Sequence, residues 1–150
     1  MKPPIVWITM LPCTDPLSPA GSVSLTLPYP PSANRLWTRA SRFKKGGGRK
    51  PGIRKTEEYR AWLEEARVAW LLQRKNLPAR RVSGRYRLEV LVYPPDMRHR
   101  DVGNLEKATS DFLQMIGVID NDHLAKSVFF EWADPPYTKE GMEIAITPYS

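Results

Sequence analysis

The stretch Arg98-His-Arg-Asp101-Val-Gly-Asn-Leu-Glu-Lys107-Ala-Thr-Ser-Asp111-Phe-Leu-Gln-Met-Ile-Gly117-Val-Ile-Asp120-Asn-Asp122 organises the rest of the chain around it. Leu105, Ala108, Phe112, Met115 and Ile116 recur at helical spacing, which predicts a helix with those side chains toward a core. Asp101 stands where an N-cap belongs, and Gly117 is a fitting C-terminal stop. At ~100° per residue, Asn104, Lys107 and Asp111 fall within an arc of about 60° beside the apolar stripe. One helix edge then carries an amide, an ammonium and a carboxylate. Asp101 lies at its start, and the returning chain brings Asp120 and Asp122. Carboxylates gathered beside Arg and Lys suit a hard divalent cation and a phosphodiester together.

Working outward, Tyr86, Leu88, Val90 and Val92 alternate with Arg87 and Glu89, a strand pattern that Pro94 and Pro95 end. Leu91 and Tyr93 on the other face suggest that part of this strand is covered on both sides. A strand end leading into a helix N-terminus is a common setting for phosphate chemistry. Upstream, Thr56 caps a helix with Glu57 and Glu58 in its first turn, ending near Asn76 before Pro78. Its stripe of Tyr59, Trp62, Leu63, Ala66, Ala69 and Trp70 reads as core, with the tryptophans as anchors rather than base-stacking platforms. Val23, Leu25 and Leu27 form an opening strand. Val128–Trp132 and Met142–Thr147 read as the last two.

The expected order is therefore β-α-β-α-β-β, an α+β domain with a small mixed sheet and two helices packed on one face. We divide the chain into an N-terminal extension over 1–21, rich in proline and without regular structure beyond a short strand at Ile5–Ile8, and one domain over 22–150. Residues Arg39–Lys55, with Gly46, Gly47 and Gly48, read as a basic loop. It is either a solvated flexible segment or a DNA-gripping arm. The glycines lack the Gly-x-x-x-x-Gly-Lys-Ser/Thr pattern of a phosphate loop.

Composition narrows the classes further. The chain has 150 residues, with 23 Lys plus Arg against 16 Asp plus Glu, a net charge of +7. That excess favours a polyanionic partner. A single cysteine, Cys13, forms no internal disulfide and fits a reducing cytoplasm. Two histidines, His99 and His123, make no zinc pattern. No apolar run is long enough to span a membrane, and the start has no signal-peptide pattern.

Two blocks resemble the RusA family of phage and prophage Holliday junction resolvases. One is Leu25-Thr-Leu-Pro-Tyr-Pro-Pro-Ser-Ala-Asn34-Arg35, similar to the family's opening strand and Pro-Pro-Ser-x-Asn-Arg turn. The other is Arg100-Asp101-Val-Gly-Asn104-Leu-Glu-Lys107, then Asp111 and Gly-Val-Ile-Asp-Asn-Asp122, similar to Arg-Asp-x-Asp-Asn-x-x-Lys, Asp and Gly-x-x-x-Asp-Asp. The likeness covers roughly residues 22 to 148. It implies Mg²⁺-dependent hydrolysis of branched DNA by a homodimer in recombination and repair, with Mn²⁺ as a substitute ion. It also implies catalytic roles for Asp101, Lys107 and Asp122, with Asp101 and Asp122 as metal ligands and Asp120 and Asp111 as further candidates. Arg98, Arg100, Asn34, Arg35, Asn104 and Lys107 are the expected DNA contacts. Gly103 stands where the family carries a second aspartate.

Plainer roles compete with several of these. Asp101 could be an N-cap only. Lys107 and Asp111 could be a surface ion pair, and Asp120 and Asp122 turn residues. Two other functional classes stay open. One is an inactive, structure-selective DNA-binding protein, favoured by Gly103. The other is a small basic scaffold or RNA-binding module, favoured by charge alone.

Overall fold

The computed structural model describes residues 20–43 and 45–149. The expected strand at Ile5–Ile8 and nearly all of the 1–21 extension lie outside the described residues. Strand β1 is Val23–Leu27, β2 Trp37–Phe43, β3 Arg49–Lys55, β4 Tyr86–Tyr93, β5 Ala125–Trp132 and β6 Gly141–Pro148. Helix α1 is Glu57–Arg74 and α2 is Glu106–Met115. Short 3-10 turns occupy Ala33–Arg35, Val102–Leu105 and Asp122–Leu124.

A four-stranded mixed sheet runs β1-β6-β4-β5, with β4 and β5 parallel and the other pairs antiparallel. Register puts Leu25 opposite Ile144, and Ile144 opposite Val90. Alternation therefore sends one apolar set from all three strands to one face. Both helices cover that face. Trp62 of α1 meets Phe112 of α2 edge-on at 5.5 Å between ring centroids, and its indole N–H donates to the Pro28 carbonyl at 3.1 Å. Burying each of Phe112 and Leu113, both fully enclosed, stabilises the fold by about 1.5–3 kcal/mol. The other face carries no helix. Arg87 and Glu89 are exposed there and Leu91 and Tyr93 are half-buried, so the expected double cover reduces to local cover over the Tyr93 ring, where Lys139 lies 4.4 Å from its centroid.

The helix signals hold at α1. Thr56 accepts from the Tyr59 N–H at 3.1 Å, and Trp62 and Trp70 are core residues. Helix α2 departs in detail. Its N-terminal residues Val102–Leu105 wind as a 3-10 turn, so Asn104 is not on an α-helical arc with Lys107 and Asp111. Thr109 and Leu113 are buried, whereas Met115 is 45% exposed. Gly117, at φ +75°, ends the helix in a conformation that costs glycine nothing.

The largest correction concerns the basic loop. Most of it is a β-hairpin, β2 paired with β3 from Trp37↔Lys55 to Phe43↔Arg49. It forms a separate two-stranded sheet. Both faces are largely exposed, so no hydrophobic alternation marks the strands, and Pro51 and Gly52 disguise β3. Gly46, Gly47 and Gly48 all take positive φ in the connection.

Candidate active site

The loop after β4 builds the approach to the site. The Asp96 carboxylate accepts from the Arg98 backbone N–H at 2.9 Å and from the two terminal guanidinium nitrogens of Arg100, Nη1 and Nη2, at 2.7 and 2.8 Å. The Arg100 hydrogen bonds, followed by that of Arg98, hold the Asp96 pKa down to about 2. Arg100 also lies 5.8 Å from the centre of the Tyr29 ring. It is thus committed to tying this loop to the Tyr29 segment. Arg98 is freer: its side chain is 83% exposed and only 3.7 Å at closest from Asp96.

Asp101 caps the 3-10 turn, its Oδ1 accepting from the Gly103 N–H at 2.9 Å. Asn104 is half-buried in the same turn. At the start of α2, the Lys107 ammonium donates to Asp111, one helical turn further on, at 2.7 Å. That bond is the main reason the Lys107 pKa is raised; Asp122 and Glu106 add to it through their charge. The Asp122 N–H donates to Gln114 Oε1 at 3.1 Å, and the Asp122 carbonyl accepts from the Tyr86 hydroxyl at 3.4 Å. Burial, then the charges of Asp122 and Glu106, push the Tyr86 hydroxyl up to about 12, so it remains protonated. Lys107, Asp111, Asp122 and Glu106 therefore share one electrostatic neighbourhood.

Asp120 faces elsewhere. Its carboxylate accepts from the Gly84 N–H at 3.0 Å and from Arg81 at 2.5 and 3.0 Å, and those bonds lower its pKa. It fastens the chain after α2 to the turn before β4. Asn34 and Arg35 are exposed in the turn Ala33–Arg35, with Arg35 3.6 Å from Glu58. That turn touches both α2 and the turn Val102–Leu105. The two sequence blocks, about 65 positions apart in the chain, thus become neighbours.

Three participants escaped the sequence reading. Glu106 shares the field of Lys107 and accepts from the Ser110 hydroxyl at 2.5 Å. Its position beside Lys107 was the available signal. Tyr86 and Arg81 gave none, because one reads as a core strand residue and the other as surface charge. Among the described residues, no group of three or more His, Cys, Asp and Glu is arranged to hold a metal ion. Asp111 is paired with Lys107 and Asp120 with Arg81, which leaves Asp101 and Asp122 as carboxylates without an ion-pair partner among the described residues. Mg²⁺ takes one or two protein carboxylates and keeps most of its waters.

No helix among the described residues is long and apolar enough to cross a membrane. No curated protein sequence matches the chain significantly. The family model for endodeoxyribonuclease RusA matches residues 28–147, which takes in both motif blocks from Pro28 onward, both helices, strands β2 to β5 and all but the last residue of β6. The chain therefore belongs to the RusA endodeoxyribonuclease family, a family of nucleases that act on DNA.

Proposed function

We propose that the chain is a Mg²⁺-dependent endonuclease that resolves Holliday junctions and related branched DNA by symmetric phosphodiester hydrolysis, in recombination and repair. The observation that carries this reading is the Lys107 ammonium, held cationic by Asp111 within the field of Asp122 and Glu106, on the helix that both motif blocks adjoin. Asp101 and Asp122 are the proposed ligands of Mg²⁺, or of Mn²⁺ in its place. When bound, such an ion offsets charge on phosphoryl oxygens and acidifies water.

The chain's own groups do the rest. The Gly103 N–H fixes the Asp101 carboxylate. An ammonium has three donors and Asp111 occupies one, so Lys107 keeps donors for a non-bridging phosphate oxygen. Its raised pKa makes it a cation rather than a base. Arg98, Asn34, Arg35 and Asn104 flank the site and contact phosphates, which positions DNA without reading its sequence. Arg100, engaged by Asp96, fixes the loop that carries Arg98 and Asp101. A homodimer with a two-fold axis supplies two sites related as the two cut strands are.

One observation favours a second reading, a junction-binding protein with weak or no cleavage. Gly103 adds no carboxylate beside Asp101, and no three-carboxylate cluster forms among the described residues. A synthetic four-way junction incubated with and without Mg²⁺ separates the two. Binding is expected to survive EDTA, because Arg and Lys contacts need no metal. Cleavage is expected to stop. Cleavage at full rate in EDTA contradicts the metal mechanism, and binding without cleavage in Mg²⁺ favours the second reading.

A further inference from the structure

The hairpin β2–β3 has no role in the site just described, yet its composition is extreme. Residues 36–56 hold eight Lys and Arg and no Asp or Glu. Among the described residues, none of the hairpin's cations forms an ion pair with a carboxylate. Unneutralised positive charge on a ribbon exposed on both faces is complementary to a polyanion rather than to a protein core. Register places Trp37, Arg39, Ser41 and Phe43 on one face with Ile53 and Arg49 from the partner strand. Phe43, the last residue of β2, is 80% exposed, and the Arg49 guanidinium lies 5.3 Å from its ring centre.

The ribbon's root adjoins the candidate active site. Trp37 meets Tyr59 edge-on at 6.1 Å, and the Tyr59 hydroxyl lies in the field of Asp111 and Lys107. Thr56, which follows β3, donates its hydroxyl to the Arg35 carbonyl at 2.6 Å. Each ribbon strand has 7 residues, so at about 3.3 Å per residue the tip stands roughly 20 Å from that root. A two-stranded ribbon fits the major groove, and side chains inserted between bases exploit steps that are already poorly stacked. At the branch point of a junction, bases lack part of their normal stacking. An exposed aromatic ring on a cationic arm suits that place.

We propose that the β2–β3 ribbon grips the DNA backbone and that Phe43 at its tip stacks on a base at the branch point, making it a specificity-determining residue for branched over linear DNA. This rests on the reading of the substrate as branched DNA. The ribbon's cations supply affinity for any DNA, and Phe43 supplies the preference.

The test uses the full chain in EDTA with two DNAs, each carrying 2-aminopurine: a four-way junction labelled at the crossover and a linear duplex of matching sequence. Wild type is expected to bind the junction more tightly and to change its fluorescence. Phe43→Ala should abolish the fluorescence change and weaken junction binding about tenfold or more, the range expected for one lost base–aromatic stack. Duplex binding should stay within about twofold, and Phe43→Trp should restore both junction signals. Arg42→Gln should weaken both DNAs together and lower the salt slope by about one unit. If Phe43→Ala keeps the wild-type preference and fluorescence change, or weakens junction and duplex equally, the wedge is overturned while the branched-DNA reading stands. If wild type shows no preference for the junction, both fall.

Discussion

A β-carbon added at Gly103 would lie 3.3 Å from Asp101 Oδ1. Backbone φ there is outside the left-handed region, so a side chain is allowed, but the Asp101 carboxylate must yield by a few tenths of an ångström. Gly103→Asp therefore does two things, displacing Asp101 slightly and adding a carboxylate beside it. Gly103→Ala does only the first. The expected outcome is that Gly103→Asp cleaves a junction faster than wild type at limiting Mg²⁺, while Gly103→Ala equals wild type or is slower. Cleavage rate against Mg²⁺ concentration checks this, and a rightward shift for the aspartate variant counts against a carboxylate vacancy. Asp96 gives a pH prediction. Its pKa falls on folding from the ordinary 3.8 to about 2. A carboxylate lowered in this way stabilises the folded state fully above its unfolded pKa and loses that contribution as pH falls through its folded one. The stability gap between wild type and Asp96→Asn, read from urea melts, should therefore be constant above pH ~5 and close between about pH 4 and 2.

At the scale of elements, β1 sits at a sheet edge, and Gln73 of α1 pairs with it as a neighbouring strand would. Its amide accepts from the Thr26 N–H at 2.8 Å and donates to the Thr26 carbonyl at 2.8 Å. The Thr26 hydroxyl also donates to it, at 3.1 Å. Covering an edge in this way discourages pairing with other chains. Gln73→Ala should cost about 1–2 kcal/mol, because these exposed bonds are worth less than buried ones. It should also speed hydrogen exchange at the Thr26 amide, whereas unchanged exchange there would mean the amide cap is incidental. What the sequence revealed follows the same divide. Helix α1 and strands β1 and β4 were legible because one face of each is buried and the other largely wet, and β6 because buried Met142, Ile144 and Ile146 alternate with half-buried neighbours. The ribbon was not, since neither of its faces enters a core. Lys107 and Asp111 were legible as neighbours because four residues span one helical turn. The bond between Arg81 and Asp120 joins residues 39 apart, and no local pattern encodes it.

For the molecule as a whole, charge is unevenly placed. The segment 36–56 alone carries eight cations and no carboxylate, while Asp111, Asp122 and Glu106 gather around Lys107, and Asp111 and Lys107 reach Tyr59 at the ribbon's root. A cationic arm beside a small acidic cluster attracts DNA broadly and suits a cation at the backbone. On the proposed reading, Asp101 and Asp122 act in cleavage and not in DNA capture. The most direct measurement of this is single-turnover cleavage of a four-way junction in Mg²⁺ by Asp101→Asn and Asp122→Asn, with junction affinity measured in parallel. Each variant should lose cleavage by at least about a hundredfold, comparable to removing a key charge-stabilising group, while binding the junction as tightly as wild type or more tightly. Near wild-type cleavage by either variant, or a parallel loss of binding, would contradict the account.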